Sequence, residues 1–315
     1  NLWEVTLGIQ GKNFETTSDI VLVIDNSNSM YQNNRMVQTK AAANAFVDAL
    51  LTQDSATRIA VVVFNDKVKQ TGFYDYSNKE ALKAYINAVS MNEADGGTFT
   101  QLGIKTARDL LKSSASTGLN KNIVLLSDGL PTWSYLATGT ATGTCTTWLF
   151  GTITHNDGCD ENTVKINGCN YNMQEGNGTS ADDGSITLLL TCEHDKTKTE
   201  TYTISHSYAT IWEAQQAAND GMTVFSIALQ AGTTGENVLR ACATDATKDY
   251  YAIASTDNVE EKLTTAFTSI AGSIAIAARN GVVNDPMGEH VKLNFSGEAP
   301  VITTDKVVYD AGHAD

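Results

Sequence analysis

Three short stretches of the chain carry small, oxygen-bearing side chains where strands are expected to end. The first holds Asp25, Ser27 and Ser29 directly after the apolar run IVLVI. Thr98 stands in the glycine-rich stretch EADGGTFTQLGI, and Asp128 follows the apolar run of KNIVLLSDG. Carboxylate and hydroxyl oxygens are hard ligands of the kind that Mg²⁺ prefers. The set therefore predicts a site for a divalent cation if the fold brings the three stretches together.

The elements around these residues predict a fold that does so. IVLVI is rich in β-branched residues, as is typical of a strand buried on both faces. TRIAVVVFN, KNIVLLSDG and MTVFSIAL are similar runs, and segments of helical period such as NRMVQTKAAANAFVDALLTQ and TQLGIKTARDLLKSS lie between them. This alternation predicts an open, doubly wound α/β fold with a mostly parallel sheet. Such sheets bind ligands outside the carboxyl ends of their strands, where the oxygen-bearing residues stand.

Two parts of the chain break the alternation. Residues 133–206 have no helical period and are rich in Thr, Gly, Asn and Asp, which predicts a large inserted β-rich arm. Within it, SITLLLTCEH and TETYTISH are predicted to pair as a hairpin with DKTK at the turn, and the aromatic residues near its start to form a small core of the arm. Within residues 1–16 and 281–315, the stretches LWEVTLGIQGK, HVKLNF and DKVVYD alternate apolar and polar side chains. They are interpreted as β segments of a flanking sandwich-type domain that brackets residues 17–280.

Composition limits the classes of partner. The 315 residues carry a net charge of −15, which disfavours nucleic acid, because binding to phosphates needs clustered Lys and Arg. No apolar run is long enough to span a bilayer, so membrane insertion of this fragment is not expected. Asn1 is not a natural start, so the chain is expected to be part of a longer protein.

The five cysteines do not indicate a zinc site. No CxxC pair occurs among Cys145, Cys159, Cys169, Cys192 and Cys242. The first four lie in the arm, where one or two disulfides would suit an extracellular protein. Cys242, in the stretch NVLRACAT, is predicted to be a buried apolar residue on a helix.

The oxygen-bearing residues resemble a motif of the von Willebrand factor A family. The metal-ion-dependent adhesion site of that family has the pattern Asp-x-Ser-x-Ser, then a Thr and then an Asp. Asp25, Ser27 and Ser29 match the first part, Thr98 the second and Asp128 the last. The resemblance implies that these residues hold Mg²⁺ or Mn²⁺. It also implies an open metal position that an acidic side chain of a partner fills.

One position departs from the family pattern. Asn28 stands where the family usually has Gly before the second Ser. Asn tolerates left-handed backbone better than most residues, so the turn is expected to form.

The large arm and the bracketing β segments are similar to the architecture of tip adhesins from Gram-positive pili. This resemblance implies an extracellular, cell-wall-anchored pilus protein that is not an enzyme. Its implied partners are other pilin subunits and a host matrix protein of the collagen, fibronectin or laminin class, which it would bind through an acidic side chain. The arm leaves the sheet directly after Asp128, so it is expected to shape specificity.

Two alternatives stay open at the level of sequence. One is an intracellular module of the same family in an ATP-driven metal-insertion or remodelling complex. The other is a Mg²⁺-dependent phosphatase with Asp25 as nucleophile, although the phosphatases considered need a second carboxylate two residues on, where this chain has Ser27. No Ser–His–Asp order stands out along the chain.

Overall fold

The computed structural model describes residues 17–90, 96–113, 115–118, 120–142, 163–191 and 199–275. The predicted flanking β segments at 1–16 and 281–315 lie outside these residues, as do the predicted turn DKTK and the cysteines Cys145, Cys159 and Cys192. The boundaries of the flanking domain and the pairing of those three cysteines therefore stay predictions, whereas Cys169, the fourth cysteine of the arm, has a free thiol.

A six-stranded sheet forms the centre of the molecule. Its order is β10-β9-β4-β1-β2-β3, with β3 antiparallel to β2 and every other pair parallel. The chain runs from β1 to β2 on one side and later returns to place β4 on the other side of β1. The predicted doubly wound, mostly parallel α/β fold is confirmed. The strands of this sheet are β1 (Ser18–Asp25), β2 (Thr57–Phe64), β3 (Val68–Gln70), β4 (Asn120–Ser127), β9 (Thr223–Leu229) and β10 (Tyr250–Ile253).

Helices cover both faces of this sheet. Helices α1, α2 and α6 pack on one face, around Leu22, Phe46 and Phe267, and α3, α4 and α5 pack on the other, around Val23 and Leu125. Because both faces are covered, the central strands are apolar throughout rather than alternating. The helices are α1 (Arg35–Leu50), α2 (Lys79–Ala88), α3 (Thr100–Lys112), α4 (His206–Asn219), α5 (Gly232–Cys242) and α6 (Val259–Ala275).

The arm forms a sheet of its own. Its four strands have the order β6-β5-β7-β8, where β5 is Trp133–Thr142, β6 is Thr163–Gly176, β7 is Gly184–Thr191 and β8 is Thr199–Ile204. The predicted pairing of SITLLLTCEH with TETYTISH is confirmed, because β7 and β8 are antiparallel neighbours.

The arm is anchored to the helices by a buried polar contact. Glu213 of α4 has a fully buried side chain. It accepts a hydrogen bond of 2.7 Å from the Tyr171 hydroxyl of β6 and one of 3.0 Å from Arg108 of α3. A buried carboxylate needs such partners, because an unpaired charge in the interior is costly. These hydrogen bonds fix the position of the arm on α3 and α4.

Tyr135, one of the aromatic residues at the start of the arm, does not pack into the separate core of the arm that the sequence suggested, and Trp148 and Phe150 lie outside the described residues. Tyr135 packs between Phe99 at the start of α3 and Tyr171, with ring centroids 4.9 and 5.1 Å away. These rings belong to the seam between the arm and the central domain. The small core of the arm consists of Ala137, Ile186 and Leu188.

Two smaller expectations have clear outcomes. Cys242 is buried in the core at the end of α5, as predicted. No helix among the described residues is both long and apolar enough to cross a membrane.

Two helical glycines give a test of how closely α3 packs on the sheet. A Cβ atom at Gly103 would lie 2.7 Å from the Phe64 ring and 3.1 Å from Val23, whereas one at Gly272 of α6 would meet nothing within 4 Å. Ala is the better helix former, so Gly272→Ala should raise the free energy of unfolding by about 0.5–1 kcal/mol. Gly103→Ala should lower it by roughly 1–3 kcal/mol, because overpacking outweighs propensity. Urea denaturation measures both, and stabilisation by Gly103→Ala would contradict the close packing.

Candidate metal centre

Two buried carboxylates meet at the carboxyl edge of the central sheet. Asp25 is the last residue of β1, and Asp128 follows the last residue of β4. The two strands are parallel neighbours, with Ile24 opposite Leu126. The order of strands reverses between them, and such a switch point leaves a crevice in doubly wound sheets. Both carboxyl groups therefore face the place where this fold class binds ligands.

Hydrogen bonds join four of the five predicted residues into one cluster. The Ser27 amide donates to Asp25 Oδ1 at 2.8 Å, and the Ser27 and Ser29 hydroxyl oxygens lie 3.0 Å apart. The Ser29 hydroxyl donates to Asp128 Oδ1 at 2.8 Å. Two carboxylates and two hydroxyls thus form one connected cluster, in which Ser29 and Asp128 are 99 positions apart in the sequence.

The turn that carries the serines differs from the expected one. It is a short 3-10 helix, Asn28–Tyr31, and Asn28 is not among the described residues with positive φ. The tolerance of Asn for left-handed backbone is therefore not needed at this position. That conformation occurs just downstream, at Asn33 and Asn34, with φ of 52° and 60°.

Thr98 lies on the adjoining loop and is held by its main chain. Its amide donates to the Thr132 hydroxyl at 2.8 Å, and its carbonyl accepts from the Thr132 amide at 2.9 Å. The next amide, that of Phe99, donates to Asn65 just after β2, which places the loop at the carboxyl edge of the sheet. Among the described residues, no side-chain hydrogen bond joins Thr98 to the cluster, so its membership of the site stays a prediction.

The loop that carries Thr98 packs closely against residues of the arm. Gly96 and Gly97 have φ of 81° and 116°, which favours glycine. A Cβ atom at Gly97 would lie 2.4 Å from the Trp133 indole nitrogen and 2.8 Å from the Gly178 Cα of the arm. A Cβ atom at Gly96 would lie 3.8 Å from the side-chain nitrogen of Asn28. The Thr98 loop is thus in contact with the arm and close to the Ser27–Ser29 turn.

The electrostatics of the cluster favour a bound cation. Burial, and secondly the charge of Asp128, raise the pKa of Asp25 from its usual 3.8 to about 7. Burial also raises the pKa of Asp128, against the opposing effects of the Ser29 hydrogen bond and of Arg35. Two adjacent buried carboxylates resist ionisation together, and a divalent cation would relieve both their repulsion and their desolvation.

Three polar residues of the cluster escaped sequence analysis. Ser127 donates its hydroxyl to Asp25 Oδ2 at 2.6 Å. Arg35 pairs with Asp128 Oδ2 at 2.5 Å, and Gln230, at the end of β9, accepts from Arg35 Nε at 2.9 Å. Ser127 could have been found, since it precedes Asp128 at a strand end. Nothing in the sequence marks Arg35 or Gln230, because their roles depend on how α1 and β9 lie around the site.

The donor set fits a hard cation better than a softer metal ion that prefers nitrogen or sulfur ligands. No group of three or more His, Cys, Asp or Glu side chains suited to a metal occurs in the part of the chain that the structure describes. The cluster offers only carboxylate and hydroxyl oxygens, which suit Mg²⁺ or Mn²⁺ and leave coordination positions for water. The set Asp25, Ser27, Ser29, Thr98 and Asp128 remains a prediction that this geometry is compatible with.

A Ser–His–Asp arrangement does occur, at the base of the arm. The Ser134 hydroxyl lies 2.8 Å from Nδ1 of His206, and Nε2 of His206 contacts Asp183. Sequence analysis missed this cluster because the three residues follow no motif. Ser134 is only 2% exposed and His206 is fully buried, so no substrate reaches the hydroxyl in this conformation. The cluster ties both the first arm strand and the loop before β7 to the start of α4.

Sequence comparison identifies the domain that carries the site. Residues 19–141 match the family model of the von Willebrand factor type A domain. These residues, which make up less than half of the chain, are therefore similar to a von Willebrand factor type A domain. A relative, the minor fimbrium subunit Mfa5 of Porphyromonas gingivalis, is 36% identical to it over 141 residues. That similarity covers 43% of this chain and 11% of the length of the relative.

Solved structures of other proteins share the fold of this chain. The vWF domain of the type V pili tip protein Mfa5 from Porphyromonas gingivalis superposes with a TM-score of 0.61 at 24% identity, over 86% of this chain and 99% of that one. The pilus adhesin SpaC from Lactobacillus rhamnosus GG gives 0.62 at 17% identity, over 85% of this chain and 31% of that one.

The raised pKa of Asp25 predicts a dependence of stability on pH. A carboxyl group whose folded pKa of about 7 exceeds its unfolded value stabilises the fold at low pH, and this contribution is lost as pH rises from about 4 through 7. Without metal, Asp25→Asn should therefore gain stability relative to the unchanged chain as pH rises over this range. Thermal unfolding in EDTA from pH 4.5 to 8 measures the difference, and parallel pH curves for the two proteins would contradict it.

Proposed function

We propose that this domain is an extracellular, non-enzymatic adhesion module that grips an acidic side chain through a divalent cation. Asp25, Ser27, Ser29, Thr98 and Asp128 would hold Mg²⁺ or Mn²⁺, and a carboxylate of the partner would complete the coordination. The contact between two buried carboxylates and two hydroxyls at the switch point of the sheet carries the proposal. Bound metal supplies a positive charge to which the partner's carboxylate binds.

The similarity to pilus tip proteins supports the setting of this function. Mfa5 and SpaC are described as a pilus tip protein and a pilus adhesin. By analogy, this chain would work in an extracellular pilus, beside other pilin subunits and against a host matrix protein. Because Porphyromonas gingivalis is Gram-negative, that relative does not support the expected anchoring to a Gram-positive cell wall, which stays a prediction. The setting also favours adhesion over the intracellular alternative.

The position of Asp25 disfavours the phosphatase alternative. Its side chain is fully buried, and both of its oxygens already accept hydrogen bonds, one from the Ser27 amide and one from the Ser127 hydroxyl. A carboxylate nucleophile must contact the phosphorus of the substrate directly, which the full burial of this side chain disfavours.

The surroundings of the metal site would shape specificity. The arm contacts the Thr98 loop through Trp133 and Gly178. A cavity of about 280 Å³ lies next to Asn26, the residue before Ser27, between Lys69 and Val89. This volume suits one or two side chains rather than a whole small-molecule ligand. We infer that residues flanking the acidic side chain of the partner are selected by these two walls.

Adhesion to immobilised collagen, fibronectin and laminin tests the proposal. In Mg²⁺ the chain should bind at least one of them, and both EDTA and Asp128→Asn should weaken that binding at least tenfold, because each removes the metal. Asp109→Asn is the matched control, since Asp109 lies exposed on α3 and forms an ion pair with Lys105 of the same helix. Binding that persists equally in EDTA and in Asp128→Asn would mean that the arm holds the ligand, and would contradict the metal-dependent grip.

A further inference from the structure

Arg35 is the cationic side chain bound directly to the candidate metal residues. Its guanidinium contacts Asp128 Oδ2 at 2.5 Å and the Ser29 carbonyl at 3.2 Å. The Asp128 side chain is fully buried and that of Arg35 is 13% exposed, so water screens the pair only weakly. Asp128 thus uses one oxygen for Ser29, which is on the predicted metal side, and the other for Arg35.

A strained neighbour holds Arg35 in place. Gln230 accepts a hydrogen bond from Arg35 Nε at 2.9 Å. It does so from left-handed backbone, with φ of 56°, which a non-glycine residue rarely adopts. Its amide is fixed by a 2.7 Å hydrogen bond to the Ile253 carbonyl of β10. The guanidinium at the start of α1 is therefore held between Asp128 after β4 and Gln230 after β9. These contacts fix the position of its positive charge.

We propose that Arg35 tunes the charge of the metal site, so that the cation is held less tightly and a ligand carboxylate more tightly than the two aspartates alone would allow. This inference rests on the proposed metal-dependent grip and deepens it.

The charges of Asp25, Asp128 and Arg35 determine the net charge of the loaded site. Asp25 and Asp128 alone would neutralise a divalent cation, and a neutral site attracts a further carboxylate only weakly. With Arg35 beside Asp128, the loaded site keeps one positive charge, which a single carboxylate neutralises. The positive charge of Arg35 repels the metal. Arg35 also attracts the electron pairs of Asp128, which makes this carboxylate a weaker ligand for the metal.

The overall charge of the chain makes such a local excess useful. At a net charge of −15, the protein repels acidic ligands at long range. An acidic side chain is then bound only where a strong positive field is buried and weakly screened. Arg35 supplies that field without adding a protein ligand to the metal, because it acts through Asp128. It is a positioning residue rather than a metal ligand.

Opposite changes in two affinities test the proposal. In Arg35→Gln the glutamine can still donate a hydrogen bond to Asp128, but the charge is lost. Titration with Mn²⁺, followed by electron paramagnetic resonance, should show binding about tenfold tighter than in the unchanged chain. The carboxylate probe N-acetyl-aspartate amide, added to the Mn²⁺-loaded proteins and followed by water-proton relaxation, should bind about tenfold more weakly to Arg35→Gln. A merely structural role would lower both affinities together.

Two further variants keep the result interpretable. Arg35→Lys keeps the charge and should leave both affinities near those of the unchanged chain, even if it folds less stably. Arg240→Gln makes the same change in net charge at the far, exposed end of α5 and should change neither affinity. Equal Mn²⁺ affinities of Arg35→Gln and the unchanged chain would overturn the proposed role of Arg35 but not the proposed metal site. Failure of the unchanged chain to bind Mn²⁺ would overturn the proposed metal site itself, and this inference with it.

Discussion

Two carboxylates buried side by side at the ends of β1 and β4 determine how the surrounding residues are arranged. Asp25 and Asp128 are placed there by the parallel pairing of their strands, and their charges cannot both be left without partners in the interior. The Ser27 amide and the Ser127 hydroxyl satisfy Asp25, and Ser29 and Arg35 satisfy Asp128. These partners reduce the cost of burial without cancelling it, since both pKa values remain raised. A divalent cation would remove most of what is left.

The arm is part of this arrangement rather than an attachment to it. Thr132, directly before the arm, binds both main-chain polar groups of Thr98, so the entry to the arm and the loop that carries Thr98 form one unit. Farther out, Tyr171 reaches Glu213 between α3 and α4, and His206 joins Ser134 to Asp183 at the start of α4. The seat of the arm is therefore fixed at three separate places. A ligand that contacts both the arm and the metal would meet two surfaces of fixed separation, which lowers the entropic cost of binding.

The fold was predictable because its signals are local and repeated. The continuous apolar runs of β1, β2, β4 and β9 indicate strands covered on both faces, and helical periods between them indicate crossovers. The meeting of Asp25, Ser27, Ser29 and Asp128 was predictable for the same reason, since strand ends in such folds meet at one edge, whereas their role as metal ligands stays a prediction. Arg35 and Gln230 were not, because a helix start and a strand end 195 positions apart must first be brought together. The 3-10 turn at Asn28 and the packing of Tyr135 against Phe99 likewise depend on tertiary contacts rather than on local sequence.

A crystal of the domain grown with Mn²⁺, measured at the manganese absorption edge, tests the central claim most directly. The account predicts one strong anomalous peak bounded by Asp25, Ser27, Ser29, Thr98 and Asp128, with Arg35 still bound to the outer oxygen of Asp128. A well-ordered site without that peak at saturating Mn²⁺, or a peak only elsewhere on the surface, would contradict it.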